Sequence, residues 1–357
     1  MSRHRKAAVL CALCLAVAAC VDGSTGRLTD PEVANGALVD ASGSAPLTDG
    51  VWKKNLAPIV PARAAAAAGV LNRSIIVVGG ENGSRPPMSP LTFRPMSRVD
   101  AYNPDTKTWS RLPSLPAPRV FLFGATPMNG KLYVAGGYSY PSVGGLEPKK
   151  SLFVYDPVTN SWSRKADMPL AAWSAGVQAA VNGRLYVYYF NRGIGPGENG
   201  IFIMYNPATN KWVDLPAPPR QHQGMPVGGA INGKFYLAGG GHGDDASTGN
   251  LDVYDPASGT WTEKRPMRVP RDGAMAAVFQ GRLVVAGGVT IDPQGNAIPG
   301  GDLEIYDPVT DTWSSGPSMP TARWNGAAAA ARGRIHFIGG RTNSSYQPVG
   351  TVEAYVP

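Results

Sequence analysis

Short apolar runs recur along the chain at intervals of about fifty residues, which makes internal repetition the first thing its pattern shows. They are Ile75-Ile76-Val77-Val78-Gly79-Gly80, Leu132 to Gly137, Phe235 to Gly240, Leu283 to Gly288 and Ile335 to Gly340, each closed by two glycines. Runs this short, bounded by turn residues, predict buried strands rather than helices. The third unit departs from the rule: Leu185 to Phe190 carries aromatics where the glycines belong. After each run comes a second beat, Tyr102-Asn103-Pro104 to Trp109, then Tyr155 to Trp162, Tyr205 to Trp212, Tyr254 to Trp261 and Tyr306 to Trp313. Ahead of three runs stand Asn129-Gly130, Asn182-Gly183 and Asn232-Gly233. Asn-Gly suits a two-residue type I′ hairpin, because both central residues need positive φ. Each unit therefore predicts four antiparallel strands, with Tyr and Trp set for contacts between neighbouring sheets.

Composition agrees with an all-β chain. With 44 Gly and 33 Pro in 357 residues, yet 43% hydrophobic, the chain is rich in turns and able to build a core. Its 16% charged residues exclude a coiled coil and charge-driven disorder.

The N-terminus reads as an address. Arg3, Arg5 and Lys6 precede an apolar stretch, Ala7 to Val17, too short to span a membrane as a mature helix. It ends Val17-Ala18-Ala19-Cys20, which resembles the lipobox of bacterial lipoproteins; plain cleavage after small residues is the alternative. The resemblance implies a signal peptide over 1–19 and an acylated Cys20, so that the lipid bilayer is one partner and the address is the extracytoplasmic bacterial envelope, periplasmic or surface-exposed. Cysteines occur only at 11, 14 and 20, so the domain that follows forms no disulfide. Residues 20–50 hold no aromatic side chain and read as a flexible tether. Without 1–19 the basic excess falls to +5, from 30 basic and 25 acidic residues, and no basic run remains to suggest nucleic acid.

The Gly-Gly, Tyr-Asp-Pro and Trp signatures at fixed offsets over Val51 to Pro357 resemble the kelch repeat. The resemblance implies an all-β, six-bladed kelch β-propeller over 51–357, acting as a monomer. The final copy stops at Glu353-Ala354-Tyr355-Val356-Pro357 with no Trp, while Trp52 stands unpartnered at the front. The N-terminal strand is therefore expected to close the ring as the missing outer strand.

Candidate chemistry gathers in the loops entering each unit. A Pro-rich element ends in Arg63, Arg119, Arg220, Arg271 and Arg323, with Ala172-Trp173 in the third unit. Two readings stand for these arginines: they tie loop carbonyls together, or they ring one face and favour an anionic partner. The third unit offers Trp173, Tyr188, Tyr189, Asn191 and Arg192 as aromatic surface beside polar donors, as sugar or peptide pockets do, with drift in one unit as the alternative. His222, His242, Asp244 and Asp245 are further loop candidates, too few in pattern to predict a metal. Gly195 to Gly200 spells a dinucleotide motif but precedes a strand, with no helix after it. No cofactor is expected.

Two functions remain. One is a binding module presenting a propeller face to an envelope protein or a glycan. The other, implied by resemblance to kelch-type sialic acid mutarotases, is a cofactor-free extracytoplasmic mutarotase or epimerase. The sequence marks no acid/base pair, which favours binding.

Overall fold

The computed structural model describes residues 47–83, 94–140, 146–172, 175–190, 199–241, 247–291, 297–342 and 347–357. Among these the main strands form six four-stranded antiparallel sheets. Blade one runs outward from the axis as Ala67–Leu71, Ser74–Val78, Val99–Asn103 and Thr108–Leu112. Blades two to five repeat the order, starting at Thr126–Met128, Val177–Val181, Val227–Ile231 and Met275–Phe279. Blade six takes Ala327–Ala331, Arg334–Ile338 and Val352–Val356 from one end of the chain and Val51–Lys53 from the other. Innermost strands of consecutive blades pack together, and blade six packs on blade one, so the sheets close into a propeller. The expected signal peptide, Cys20 and most of the expected tether lie outside the described residues.

Small residues make that convergence possible. The inner strands read Ala67-Ala68-Gly69, Val227-Gly228-Gly229-Ala230 and Ala327 to Ala331. A Cβ at Gly69 would fall 1.9 Å from the Ala125 carbonyl oxygen of the next blade. The second strands are apolar on both faces because each is covered by two neighbouring sheets: Ile75, Ile76, Val77 and Val78 are all buried. Both residues of the Asn-Gly turns have positive φ, 52° and 71° at Asn129 and Gly130, as the type I′ hairpin requires.

Blade-to-blade adhesion has a repeated polar element that the sequence only hinted at. Each outer-strand Trp donates its indole N–H to a carbonyl at the end of the preceding blade's outer strand: Trp162 to Pro113 (2.8 Å), Trp212 to Ala166 (2.8 Å), Trp261 to Pro216 (2.7 Å) and Trp313 to Arg265 (2.7 Å). Trp52 continues the series to Pro317 (2.8 Å), and Trp109 completes it to Ala57 (2.9 Å), just past the closing strand. Trp52 pairs opposite Tyr355, as the outer-strand Trp of each of blades one to five pairs opposite its Tyr, so the expected closure is observed. The described structure includes residues ahead of Val51. Leu47–Asp49 forms a 3-10 turn, Leu47 is buried against Phe337 and Tyr355, and the Tyr355 hydroxyl donates to the Leu47 carbonyl.

Candidate functional site

The loops entering each blade and the connections leaving its second strand share one end of the propeller. Isolated bridges join them: Ala64 to Glu81, Val120 to Tyr138, Gln223 to Gly241, Asp272 to Val289 and Trp324 to Arg341. The residues just before these bridges are Arg63, Arg119, His222, Arg271 and Arg323. Structure thus corrects one member of the ring. In blade four the equivalent position is His222, with Arg220 two residues upstream, and the stretch from that position to the inner strand is one residue longer than in blades one, five and six.

The side chains of Arg63, His222, Arg271 and Arg323 point inward and are held by their own blades. Arg63 donates to the Gly79 carbonyl (3.3 Å), His222 Nδ1 to Gly239 (2.9 Å), Arg271 to Gly287 (3.1 Å) and Arg323 to Gly339 (3.0 Å). Each also faces a buried carboxylate. Arg63 pairs with Asp100, Arg271 with Glu304 (2.5 Å) and Arg323 with Glu353 (2.5 Å). Asp252 is shared by His222 Nε2 (3.0 Å) and Arg220 (2.5 Å). Asp100, Asp252, Glu304 and Glu353 all stand two residues before the repeat Tyr, a regularity that was present in the sequence and not read from it. Burial lowers the pKa of Arg63, Arg271 and Arg323, with the carboxylates opposing it. One further buried pair, Arg341 with Glu81, links the connections of blades six and one.

The third blade has no ring arginine among its described residues. Tyr188 and Tyr189 are both fully buried. Tyr188 donates to Asn199 O (2.8 Å) and His222 O (3.2 Å); Tyr189 donates to Leu170 O (3.1 Å) and stacks on Phe123 at 5.8 Å. Burial raises both phenols above their usual range. Their rings fill core space rather than form a platform. Trp173, Arg192, His242 and Asp244 lie outside the described residues. Among those described, no group of three or more His, Cys, Asp or Glu is placed to hold a metal.

Nearer the axis the loops hold one another through backbone bonds. Phe121 N–H donates to Ala65 O (3.0 Å), Ala65 to Asn325 (2.7 Å), Asn325 to Gly273 (2.8 Å) and Gly273 to Met225 (3.1 Å). Beside this chain sits Asp272, whose carboxylate accepts from Met225 N–H (2.6 Å) and whose pKa burial raises to about 6. The shift of His336, buried between blades six and one with its edge on Tyr102 at 5.8 Å, runs the other way, lowered by burial from 6.5 to about 4.

Their signs set opposite pH dependences. Neutral His336 contributes stability that is complete above pH 6.5 and is lost as pH falls toward 4. Protonated Asp272 contributes stability that is complete below pH 3.8 and is lost as pH rises through 6. The two oppose each other across one window. In urea titrations His336→Phe should gain on wild type by about 3 kcal/mol between pH 7 and pH 4, and Asp272→Asn should lose by a similar amount, on the order of 2–3 kcal/mol. Parallel pH profiles for both variants and wild type would remove these two groups from the account.

The Kelch motif model matches residues 62–116, 119–169, 225–268 and 270–320, together more than half the chain. An F-box/kelch-repeat protein of Arabidopsis thaliana is 29% identical over 217 residues, 60% of this chain and 43% of that protein. Beta-scruin of Limulus polyphemus is 26% identical over 276 residues, 76% of this chain and 24% of that protein. Kelch-like protein 35 of Mus musculus is 24% identical over 306 residues, covering 75% and 42%. The chain spans less than half the length of each of these relatives. The solved structure of YjhT superposes with a TM-score of 0.70 at 17% identity, covering 83% of this chain and 95% of that one, a likeness of fold.

Proposed function

Because the chain belongs to the kelch-repeat family, we propose that it is a protein-binding module, held at the bacterial envelope by acylated Cys20, whose variable loop face takes the partner. A difference between the two ends of the propeller carries this reading. On one end every connection is uniform: two residues join the first and second strands of each blade, as in Asn72-Arg73, Asn129-Gly130 and Arg332-Gly333. Four residues join the third and fourth in blades one to five, as in 104–107 and 308–311. On the other end the connection from second to third strand ranges from 190–200 in blade three to 79–98 in blade one. Stacking alone needs no such variety. Loops on a rigid scaffold are where recognition is usually placed.

Exposed apolar side chains on the two ends give a matched test. Leu170 and Ile298 stand on the variable end, 51% and 49% exposed; Val158 and Val309 stand at turn tips on the uniform end. Leu170→Asp with Ile298→Asp should abolish capture of an envelope protein by crosslinking in intact cells, at unchanged melting temperature. Val158→Asp with Val309→Asp should leave capture intact. The opposite result moves the site to the other face, and capture of glycans alone replaces the protein partner with a sugar.

Asp272 supports a second reading, the sugar mutarotase. It is a carboxyl at the axial mouth with its pKa raised to about 6, suited to pass a proton near neutral pH. Accelerated anomer exchange of N-acetylneuraminate, seen by NMR and lost in Asp272→Asn, would favour the enzyme.

A further inference from the structure

The ring position recurs often enough to act as its own control. In blades one, four, five and six the inward cation or His faces a carboxylate two residues before the repeat Tyr. In blade two that register position, opposite Val134 on one side and Arg164 on the other, is Phe153. Arg119 therefore lacks the carboxylate its counterparts have. It donates to Pro118 O (2.8 Å) and Ser151 Oγ (3.1 Å), and its Cζ lies 5.4 Å from the Phe153 ring centroid. Its Nε is buried with no hydrogen-bond partner, and the residue is 6% exposed. Burial lowers its pKa and the positive Arg164 adds to that, while Glu147 and Asp167 oppose it from a distance without bonding to it. Blade three offers no countercharge at the equivalent position, which is Ile203. A guanidinium taken out of water needs an anion or a full set of hydrogen bonds, and an aromatic face compensates only in part.

We propose that Arg119 is the anion-binding point of the loop face and takes a carboxylate of the bound ligand, as Asp100, Glu304 and Glu353 serve the other blades. The inference rests on the reading of that face as the binding face and adds the chemistry it selects. Nε–H beside an Nη–H presents the planar fork that fits a carboxylate. Arg63 Nε is also buried without a partner, but Asp100 neutralises that guanidinium; among the described ring positions occupied by arginine, Arg119 alone holds no acid. The carboxylate arises equally from an acidic side chain of a protein and from an acidic sugar, and the probes must separate them.

Full-length protein is melted at pH 7 and constant ionic strength with N-acetylglutamate amide, N-acetylneuraminate, methyl acetate or sodium chloride. A carboxylate probe at about ten times its Kd should raise the wild-type melting temperature by roughly 3 °C. The rise should vanish in Arg119→Met and in Phe153→Glu, which gives blade two the internal acid it lacks. A shift with the glutamate probe only points to a protein ligand, and one with the sugar acid only to a glycan; both support the site. No wild-type shift, an equal shift with chloride, or the same shift in both variants overturns it. Carboxylate shifts that persist when the capture experiment fails would leave this site standing and the protein-binding reading refuted.

Discussion

Deleting residues 51–58 is expected to lower the melting temperature by roughly 10 °C or more, whereas deleting 21–45 leaves it within about 1 °C. The first deletion removes three things together. The outer strand of blade six goes, and Phe337 and Tyr355 lose Trp52, whose ring lies 5.3 Å from each. The indole bond from Trp52 to Pro317 and the Ala57 carbonyl that receives Trp109 go too, so two consecutive seams open. Truncating a Trp in a packed site costs about 3–5 kcal/mol, and exposing an unpaired strand edge adds aggregation to the loss. Differential scanning calorimetry on the two deletions checks it. Equal midpoints would mean that the N-terminal strand is an ornament on a ring that closes without it.

Glu353→Ala is expected to cost about 3–5 kcal/mol in chemical denaturation, because it leaves Arg323 buried and uncompensated. Arg323 is held in blade six by Glu353 and by the carbonyls of Thr321 (3.0 Å), Phe337 (2.9 Å) and Gly339 (3.0 Å). Removing both charges together, as Arg323→Met with Glu353→Leu, should cost much less than the single change, since paired buried charges often exchange for apolar groups at little net loss. Arg119→Met should cost about 1 kcal/mol or less without ligand, because that guanidinium has no carboxylate to strand. A Glu353→Ala variant within 1 kcal/mol of wild type would show that water reaches the pair.

Much of the architecture was legible because each feature repeats. The fixed Tyr-to-Trp offset, the Gly-Gly run ends and the unpartnered Trp52 led to six blades and their closure. The ring of cations was legible only in part. Arg220 follows Pro219 just as Arg271 follows Pro270, so local pattern placed it in the ring; the bridge from Gln223 to Gly241 shows that His222 holds that register. A loop that lengthens by a residue leaves no mark in composition. The aromatic run of blade three misled for another reason. Tyr188 and Tyr189 keep polar tips, which suggests a surface, yet backbone carbonyls of Asn199, His222 and Leu170 lie close enough to take both hydroxyls inside. The acids two residues before the Tyr in blades one, four, five and six show the converse: a charged residue in an otherwise apolar strand was a signal of a buried partner.

Blade six, built from strands about 300 residues apart in sequence, also governs how the molecule is made. Val352–Val356 pairs with Val51–Lys53, the longest-range contact a ring of this kind permits, and such pairings pay their loop-closure entropy before any reward arrives. Blades one to five are assembled largely from neighbours in the chain, so they can condense first as an open arc with two sticky ends. Final annealing then waits for both ends of the arc to meet. The arc is the species most exposed to intermolecular misassembly, since the free edge of blade six in one copy matches the N-terminal strand of another. Refolding yield should therefore fall with protein concentration, and strand-exchanged oligomers should carry native blades.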